Sequence, residues 1–135
     1  MTAELERALS AALEAWPSVR AAWLFGSVAS GEAGPMSDVD VAVLGGAGLD
    51  LDELAALSVD LSRAAGRPCD LVCVERSSPV LGMEIVRANR RFLTRSADAA
   101  DAWEDRALRR YLGTAHLRRM VHEDLQRRIA AGARP

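Results

Sequence analysis

The chain is poor in several residue types that small proteins use for special purposes. It contains no lysine, so all 17 of its basic residues are arginines, and only two of its 135 residues are cysteines. Two cysteines cannot form the dense disulfide framework of a small secreted protein. No apolar run approaches the roughly 20 residues of a membrane span, and the charged first residues, MTAELERALS, do not resemble a signal peptide. We therefore expect a cytoplasmic protein without a membrane partner.

The two cysteines are not predicted to share a bond. Cys69 and Cys73 belong to one predicted strand, and at roughly 3.3 Å per residue their positions lie about 13 Å apart on the same face. This separation is too large for a disulfide or for two ligands of one zinc ion. We expect free thiols, which agrees with a reducing compartment.

Acidic and basic residues are distributed unevenly along the chain. The net charge is −2, which argues against a protein that coats nucleic acid, and we expect no direct nucleic-acid partner. Residues 1–61 contain only two arginines, whereas residues 106–135 contain eight arginines and two acids. This basic end is either a surface for an acidic partner or a solvated helix face.

Helical and extended patterns alternate along the chain. At 135 residues the length favours one domain. Predicted strands cover 21–25, 39–44, 69–74 and 91–94, and predicted helices run from the N-terminus to Trp16, from Asp50 to Gly66, from Ser78 to Ile85 and from Ser96 onward. This alternation predicts an α/β (α+β) domain, with residues 96–135 as a helical C-terminal extension.

Three aspartates are predicted to meet at one edge of the sheet. Asp38 and Asp40 share a face of the second strand, with Cα atoms about 6.7 Å apart, and Asp70 opens the third strand. If those strands are neighbours in register, the three carboxylates form one cluster. Such a cluster can hold one or two hard cations, whereas an isolated aspartate at a strand start usually caps a turn or faces solvent.

A longer pattern contains these aspartates. Gly26 and Ser27 follow the first strand, ten residues come next, and then Asp38, Val39 and Asp40 open the second strand, with Asp70 further along. This arrangement resembles the signature of the DNA polymerase beta nucleotidyltransferase superfamily. The chain is most similar to its minimal nucleotidyltransferases, which often serve as antitoxins beside a HEPN-domain RNase. The resemblance implies the nucleotidyltransferase fold, a small mixed sheet with helices packed on one side. Ser30 departs from the pattern, since that branch often has arginine there.

The resemblance also implies an activity. Such an enzyme transfers AMP from ATP to a protein hydroxyl, here expected to be a tyrosine of a HEPN-domain toxin, and thereby acts as the antitoxin. Mg²⁺ would stabilise charge at both ends of the displacement. Its ligands would be the catalytic residues Asp38, Asp40 and Asp70, and Asp70 would also help to deprotonate the hydroxyl. The residues expected to bind the ATP phosphates are Gly26, Ser27 and Ser37.

Two other functions stay open at this point. A non-catalytic antitoxin would keep the fold and occlude the toxin. A small-molecule adenylyltransferase, such as an aminoglycoside-modifying enzyme, usually carries a second substrate-binding domain. The sequence is compatible with a homo-oligomer or a hetero-oligomer.

The basic end could hold a protein substrate. Arg106, Arg109 and Arg110 share one side of a helix. We expect this patch to dock an acidic face of the partner, because a small enzyme that modifies a protein must hold it. Trp103 or Tyr111 would be the buried anchor.

Overall fold

A computed structural model describes residues 2–34 and 37–132 of the chain. In these residues six α-helices alternate with four β-strands. The helices are α1 (Thr2–Leu13), α2 (Gly26–Ser30), α3 (Leu51–Ala65), α4 (Pro79–Ala88), α5 (Ala97–Gly113) and α6 (Ala115–Ala130), and the strands are β1 (Ala21–Phe25), β2 (Val39–Leu44), β3 (Cys69–Cys73) and β4 (Arg91–Thr94). The predicted strands and helices are confirmed, with differences of a few residues at their ends.

The four strands form one mixed sheet in the order β3-β2-β1-β4. β1 runs antiparallel to β2 and β4, whereas β2 and β3 run parallel. A parallel pair needs a long crossover connection, and α3 supplies it between β2 and β3. The α/β class and the mixed sheet are thus confirmed.

Helices cover both faces of the sheet, so the expectation that they pack on one side is wrong. Alternate residues of β1 point to opposite sides. Ala22 and Leu24 pack with α1 and α3, whereas Trp23 and Phe25 pack with α4 and α5. All five residues of β1 are buried, which is the pattern of a strand covered on both faces.

Local signals in the sequence explain where two of the helices begin. Asp50 and Glu53 form the expected capping box at α3, in which each side chain accepts from the other residue's backbone N–H. Ser78 accepts from the amide of Leu81, and Pro79 occupies the first turn of α4. Each cap satisfies an amide that the helix itself leaves unpaired.

The two cysteines lie on the side of the sheet that α3 covers. Cys69 is buried and Cys73 is half-buried, and both are free thiols. Burial raises the pKa of each thiol above its usual value, which makes both poor nucleophiles. In the described residues, no helix is long and apolar enough to cross a membrane.

One arginine joins the end of α1 to the sheet. The guanidinium of Arg95 donates, at 2.6 to 2.8 Å, to three backbone carbonyls at the end of α1 and in the turn that follows, those of Leu13, Trp16 and Val19. Its backbone N–H donates to the carbonyl of Arg20 at 2.8 Å. Carbonyls at a helix C-terminus have no partner within the helix, and Arg95 donates to them here. The helix predicted to reach Trp16 ends at Leu13 instead.

We expect Arg95→Met to lower the free energy of unfolding by about 2 kcal/mol, because it removes the charged donor from these carbonyls. Arg63→Met, at an exposed position of α3, should change it by less than about 0.5 kcal/mol. Urea unfolding followed by circular dichroism measures both values. Equal stability of the two variants would contradict the role assigned to Arg95.

Candidate active site

The end of β1 and the starts of β2 and β3 lie at the same edge of the sheet. This follows from the strand directions, because β1 is antiparallel to β2 and β2 is parallel to β3. The register places Asp40 opposite Phe25 of β1 and opposite Asp70 of β3. The condition stated for a carboxylate cluster, neighbouring strands in register, is therefore met.

Asp40 and Asp70 belong to the same face of the sheet. Ala42 and Val72, two residues further along each strand, pack with α4 and α5, and residues two apart share a face. Asp38 precedes β2 by one residue, and the same alternation predicts that face for it. Asp40 is half-buried, whereas Asp38 and Asp70 are exposed.

The electrostatics of this edge favour a bound cation. Burial raises the pKa of the Asp40 carboxyl above its usual value, and the negative charge of Asp70 raises it further. Asp38 and Glu84 act on the pKa of Asp40 in the same direction. None of the ion pairs found in the described residues involves these carboxylates. Their mutual repulsion is therefore not relieved by an arginine, and a cation would relieve it.

Gly26 makes room for the Asp40 carboxylate. Its φ is +72°, in the left-handed region that favours glycine. A Cβ at this position would lie 2.1 Å from Asp40 Oδ2, which is far inside van der Waals contact. Glycine is therefore needed both for the turn from β1 into α2 and for the close approach of the carboxylate.

The three serines near the aspartates have different surroundings. Ser27 is half-buried in the first turn of α2. The hydroxyl of Ser30 donates to the Ser27 carbonyl at 3.1 Å. The hydroxyl of Ser37 accepts from the Gly34 amide at 3.0 Å, so it shapes the loop that leads into β2. Phosphate binding by Gly26, Ser27 and Ser37 stays a prediction.

The donor atoms at this edge suit a hard divalent cation. Mg²⁺ prefers oxygen ligands and usually takes one or two protein carboxylates together with substrate phosphates. In residues 2–34 and 37–132, no three His, Cys, Asp or Glu side chains already lie close enough together to hold a metal ion. The expected cluster of three carboxylates is therefore not assembled in these residues, and an ion held here would need oxygens of the nucleotide to complete its coordination. The ligand roles of Asp38, Asp40 and Asp70 stay a prediction.

Glu84 is a residue of this edge that the sequence analysis missed. It lies in α4, and its charge acts on Asp40. A single glutamate on a helix is ordinary, so no spacing pattern singles it out. Only the packing of α4 against the sheet brings it towards the aspartates.

The two aromatic residues expected to anchor a partner have partners within the chain. Trp103 is 4% exposed and packs on Trp23, with ring centroids 5.0 Å apart. Tyr111 is half-buried, and the guanidinium carbons of Arg118 and Arg87 lie 3.8 Å and 5.2 Å from its ring centroid. The expectation that Trp103 anchors a partner is therefore wrong, whereas the same expectation for Tyr111 stays a prediction.

The sequence of residues 8–98 matches a known protein family, described as Polymerase beta, Nucleotidyltransferase. The match spans more than half of the chain and includes Gly26, Ser27 and the three aspartates. The chain therefore belongs to the polymerase beta nucleotidyltransferase family. No curated protein matches it significantly in sequence.

Solved structures of the same fold include chains from toxin–antitoxin complexes. One comes from a toxin–antitoxin crystal structure with AMP-PNP, at a TM-score of 0.76 and 23% identity over 90% of this chain and 98% of that chain. Another comes from tri-AMPylated Shewanella oneidensis HEPN toxin in complex with MNT antitoxin. It has a TM-score of 0.73 and 22% identity, over 93% of this chain and 99% of that chain. A structure described as a minimal nucleotidyltransferase matches with a TM-score of 0.53 and 30% identity, over 64% of this chain and 89% of that chain. These likenesses confirm the nucleotidyltransferase fold.

We expect Gly26→Ala to weaken binding of Mg²⁺-ATP at least about tenfold, because the added Cβ displaces the Asp40 carboxylate. The matched control is Gly31→Ala. Gly31 also has a left-handed φ, +80°, but a Cβ there meets no atom within 4 Å, so it adds backbone strain without the clash. Calorimetric titration and thermal unfolding of both variants separate the two effects. Equal ATP affinity in the two variants would contradict the role of Gly26.

Proposed function

We propose that this chain transfers AMP from ATP to a protein hydroxyl, with Mg²⁺ as the cofactor. The acceptor is a tyrosine of a HEPN-domain toxin, and the transfer makes this chain the antitoxin of that toxin. Membership of the nucleotidyltransferase family supports the reaction class. The solved complexes of the same fold support the partner, since one contains AMP-PNP and another contains a tri-AMPylated HEPN toxin.

The observation that carries this proposal is the register of β2 and β3. It sets Asp40 opposite Asp70, at the edge where Gly26 leaves space over the Asp40 carboxylate. Nucleotidyl transfer needs adjacent carboxylates for a cation and an open stretch of backbone for phosphates. Both features lie at this edge.

The reaction forms one bond and breaks another at the α-phosphorus of ATP. The acceptor oxygen attacks, pyrophosphate leaves, and the hydroxyl proton passes to the Asp70 carboxylate. Asp70 suits this role because it is exposed and can be approached by a protein substrate. Gly26 lets the triphosphate approach the backbone, and the hydroxyl of Ser27 donates to a phosphate oxygen. Ser37 accepts from Gly34, so its own proton stays available for a phosphate.

Asp38, Asp40 and Asp70 would hold Mg²⁺ together with phosphate oxygens. The ion, when bound, stabilises the negative charge that builds up on the attacked phosphate and on the leaving pyrophosphate. Glu84 adds negative charge close to Asp40, which strengthens the attraction of this edge for a cation.

A cytoplasmic location fits this role. Cys69 and Cys73 are free thiols, as is usual in a reducing compartment. We place the activity there, together with the toxin.

A second candidate function is a non-catalytic antitoxin that occludes the toxin. Ser30 favours it, because the related antitoxins often have arginine at that position. Exposed Asp38 and Asp70 beside a half-buried Asp40 have no evident use in occlusion, so we rank catalysis first.

Mg²⁺ should be required for tight ATP binding. We expect ATP to bind at least about tenfold more tightly with Mg²⁺ than with excess EDTA, because the carboxylates repel the phosphates until a cation lies between them. Asp40→Ala should remove this difference, while Asp52→Ala, at an exposed aspartate of α3, should keep it. Isothermal titration calorimetry measures these affinities. Equal ATP affinity with and without Mg²⁺ in the wild type would contradict the metal assignment.

Asp70→Asn should slow AMP transfer at least about 100-fold, since it removes the proton acceptor. ATP binding should largely remain, because the amide has nearly the same size and Asp38 and Asp40 are intact. The acceptor to test is a HEPN-domain protein encoded by a gene next to that of this chain, which the proposal expects. Mass spectrometry of that protein after incubation with Mg²⁺-ATP detects added AMP, and Asp52→Asn is the matched control.

Each result of this experiment bears on one assignment. Transfer at the wild-type rate by Asp70→Asn would mean that another group accepts the proton. Inhibition of the toxin by the wild-type chain without added AMP would favour the occluding antitoxin. The absence of an encoded HEPN-domain neighbour would count against the proposed partner.

A further inference from the structure

The C-terminal helix α6 exposes apolar side chains along its length. None of its residues is buried. Five large apolar side chains expose between 41% and 61% of their surface: Leu117, Met120, Val121, Leu125 and Ile129. Four of the five recur at every fourth residue, and Met120 lies three residues after Leu117, so all five lie along one side of the helix. These five side chains are called here the α6 stripe. A contiguous exposed apolar patch of this kind marks an interaction surface.

Contacts at its start hold α6 in one orientation. The guanidinium of Arg118 donates to the Tyr111 carbonyl at 2.7 Å and to the Thr114 hydroxyl. Arg118 and Arg87 both lie over the Tyr111 ring, so this tyrosine joins α4, α5 and α6. The start of α6 is therefore held against α4 and α5 before a partner arrives, which lowers the cost of binding.

The rest of the chain gives α6 little stabilisation. The helix has 16 residues, and isolated helices of about this length are marginal in water. Its ion pairs from Arg127 and Arg128 to Asp124 are exposed and contribute little. Most helical stability in proteins comes from packing of the apolar face, and no described residue of this chain buries that face of α6.

The charges of α6 argue against a second copy of the chain as the occupant. Two arginines lie near its start, two lie near its end and two acids lie between them: Arg118, Arg119, Arg127, Arg128, Glu123 and Asp124. In an antiparallel pair of α6 helices aligned over their full length, the arginines at one end would face the arginines at the other, and acids would face acids. In a parallel pair each charge would face its own copy. Like charges in contact are unfavourable in both arrangements.

We propose that the α6 stripe docks an apolar helical face of the HEPN-domain partner, with acidic residues of the partner against the arginines of α6. The identity of the partner rests on the proposed function, while the surface rests on α6 itself. An apolar centre with complementary charges at its rim is the usual composition of a specific interface. The charges orient the two proteins, and the stripe supplies the buried area.

The extent of the structural likenesses agrees with this role. The family match ends at residue 98, and the likeness to the minimal nucleotidyltransferase covers only 64% of the chain. The likenesses to chains from toxin–antitoxin complexes cover at least 90%, so they include more than half of residues 99–135. At least part of the C-terminal helical region is thus shared in fold with proteins solved in such complexes.

The test places two negative charges in the stripe of the full chain. Val121→Glu with Leu125→Glu should weaken binding of the HEPN-domain protein that the proposed function expects a neighbouring gene to encode, at least about tenfold. The matched control is Leu51→Glu with Val59→Glu, which adds the same charges at exposed apolar positions of α3 and should bind like the wild type. Calorimetry measures the affinities, and both variants should keep the wild-type Tm and affinity for Mg²⁺-ATP.

Several results would overturn the docking proposal. Wild-type affinity of the stripe variant for the partner would do so, as would an equal loss in the control or the absence of any binding by the wild type. Light scattering after size exclusion would also do so if the wild-type chain alone were a dimer that the stripe variant dissolves. If the stripe variant unfolds, the single variant Val121→Ser replaces it in the binding measurement. A wild-type affinity of Val121→Ser for the partner would then overturn the proposal. The proposed function fails separately, if the wild-type chain binds the partner and transfers no AMP.

Discussion

The parallel pairing of β2 with β3 is the constraint on which the rest of the structure depends. Asp40 and Asp70 are far apart in the sequence, and this register places them side by side. Parallel strands require a crossover, and α3 makes it on the sheet face away from the aspartates. One face of the sheet is thus used by α1 and the crossover, and the other is left to the carboxylates, α4 and α5.

Negative charge at this edge lowers stability unless a cation shares it. Burial and the neighbouring carboxylates raise the pKa of Asp40, and a strand that enters a core has no structural need for this charge. Gly26 permits the crowding, because any side chain at that position would strike the Asp40 carboxylate. Local choices that oppose stability in this way are typical of functional sites. A nucleotide that brings its own phosphate oxygens and metal ion would turn the repulsion into attraction.

Local features of the structure could be predicted from the sequence, and long-range packing could not. Asp50 precedes α3 as its N-cap, as the capping box predicts. In β2, Asp40 is half-buried while Val39 and Val41 on either side of it are buried, as the alternation of faces along a strand predicts. The period of a helix does not tell which face of the sheet it covers, so the expectation of a one-sided sheet was wrong. The same lack of information hid Glu84 and made Trp103 an expected anchor. Only the packing of α4 and α5 shows that Trp103 belongs to the core.

Helix α4 connects the aspartates with the C-terminal helices. Glu84 acts on Asp40, and Arg87 lies over Tyr111, about 4.5 Å further along the helix axis. α5 packs on the same face to which Asp40 and Asp70 belong, and α6 continues from α5. A partner held by the start of α6 would therefore lie next to α4 and α5, the helices that pack on the face to which Asp70 belongs. A small nucleotidyltransferase with an exposed site could in this way position a protein substrate through its helical end, without a deep pocket for the acceptor.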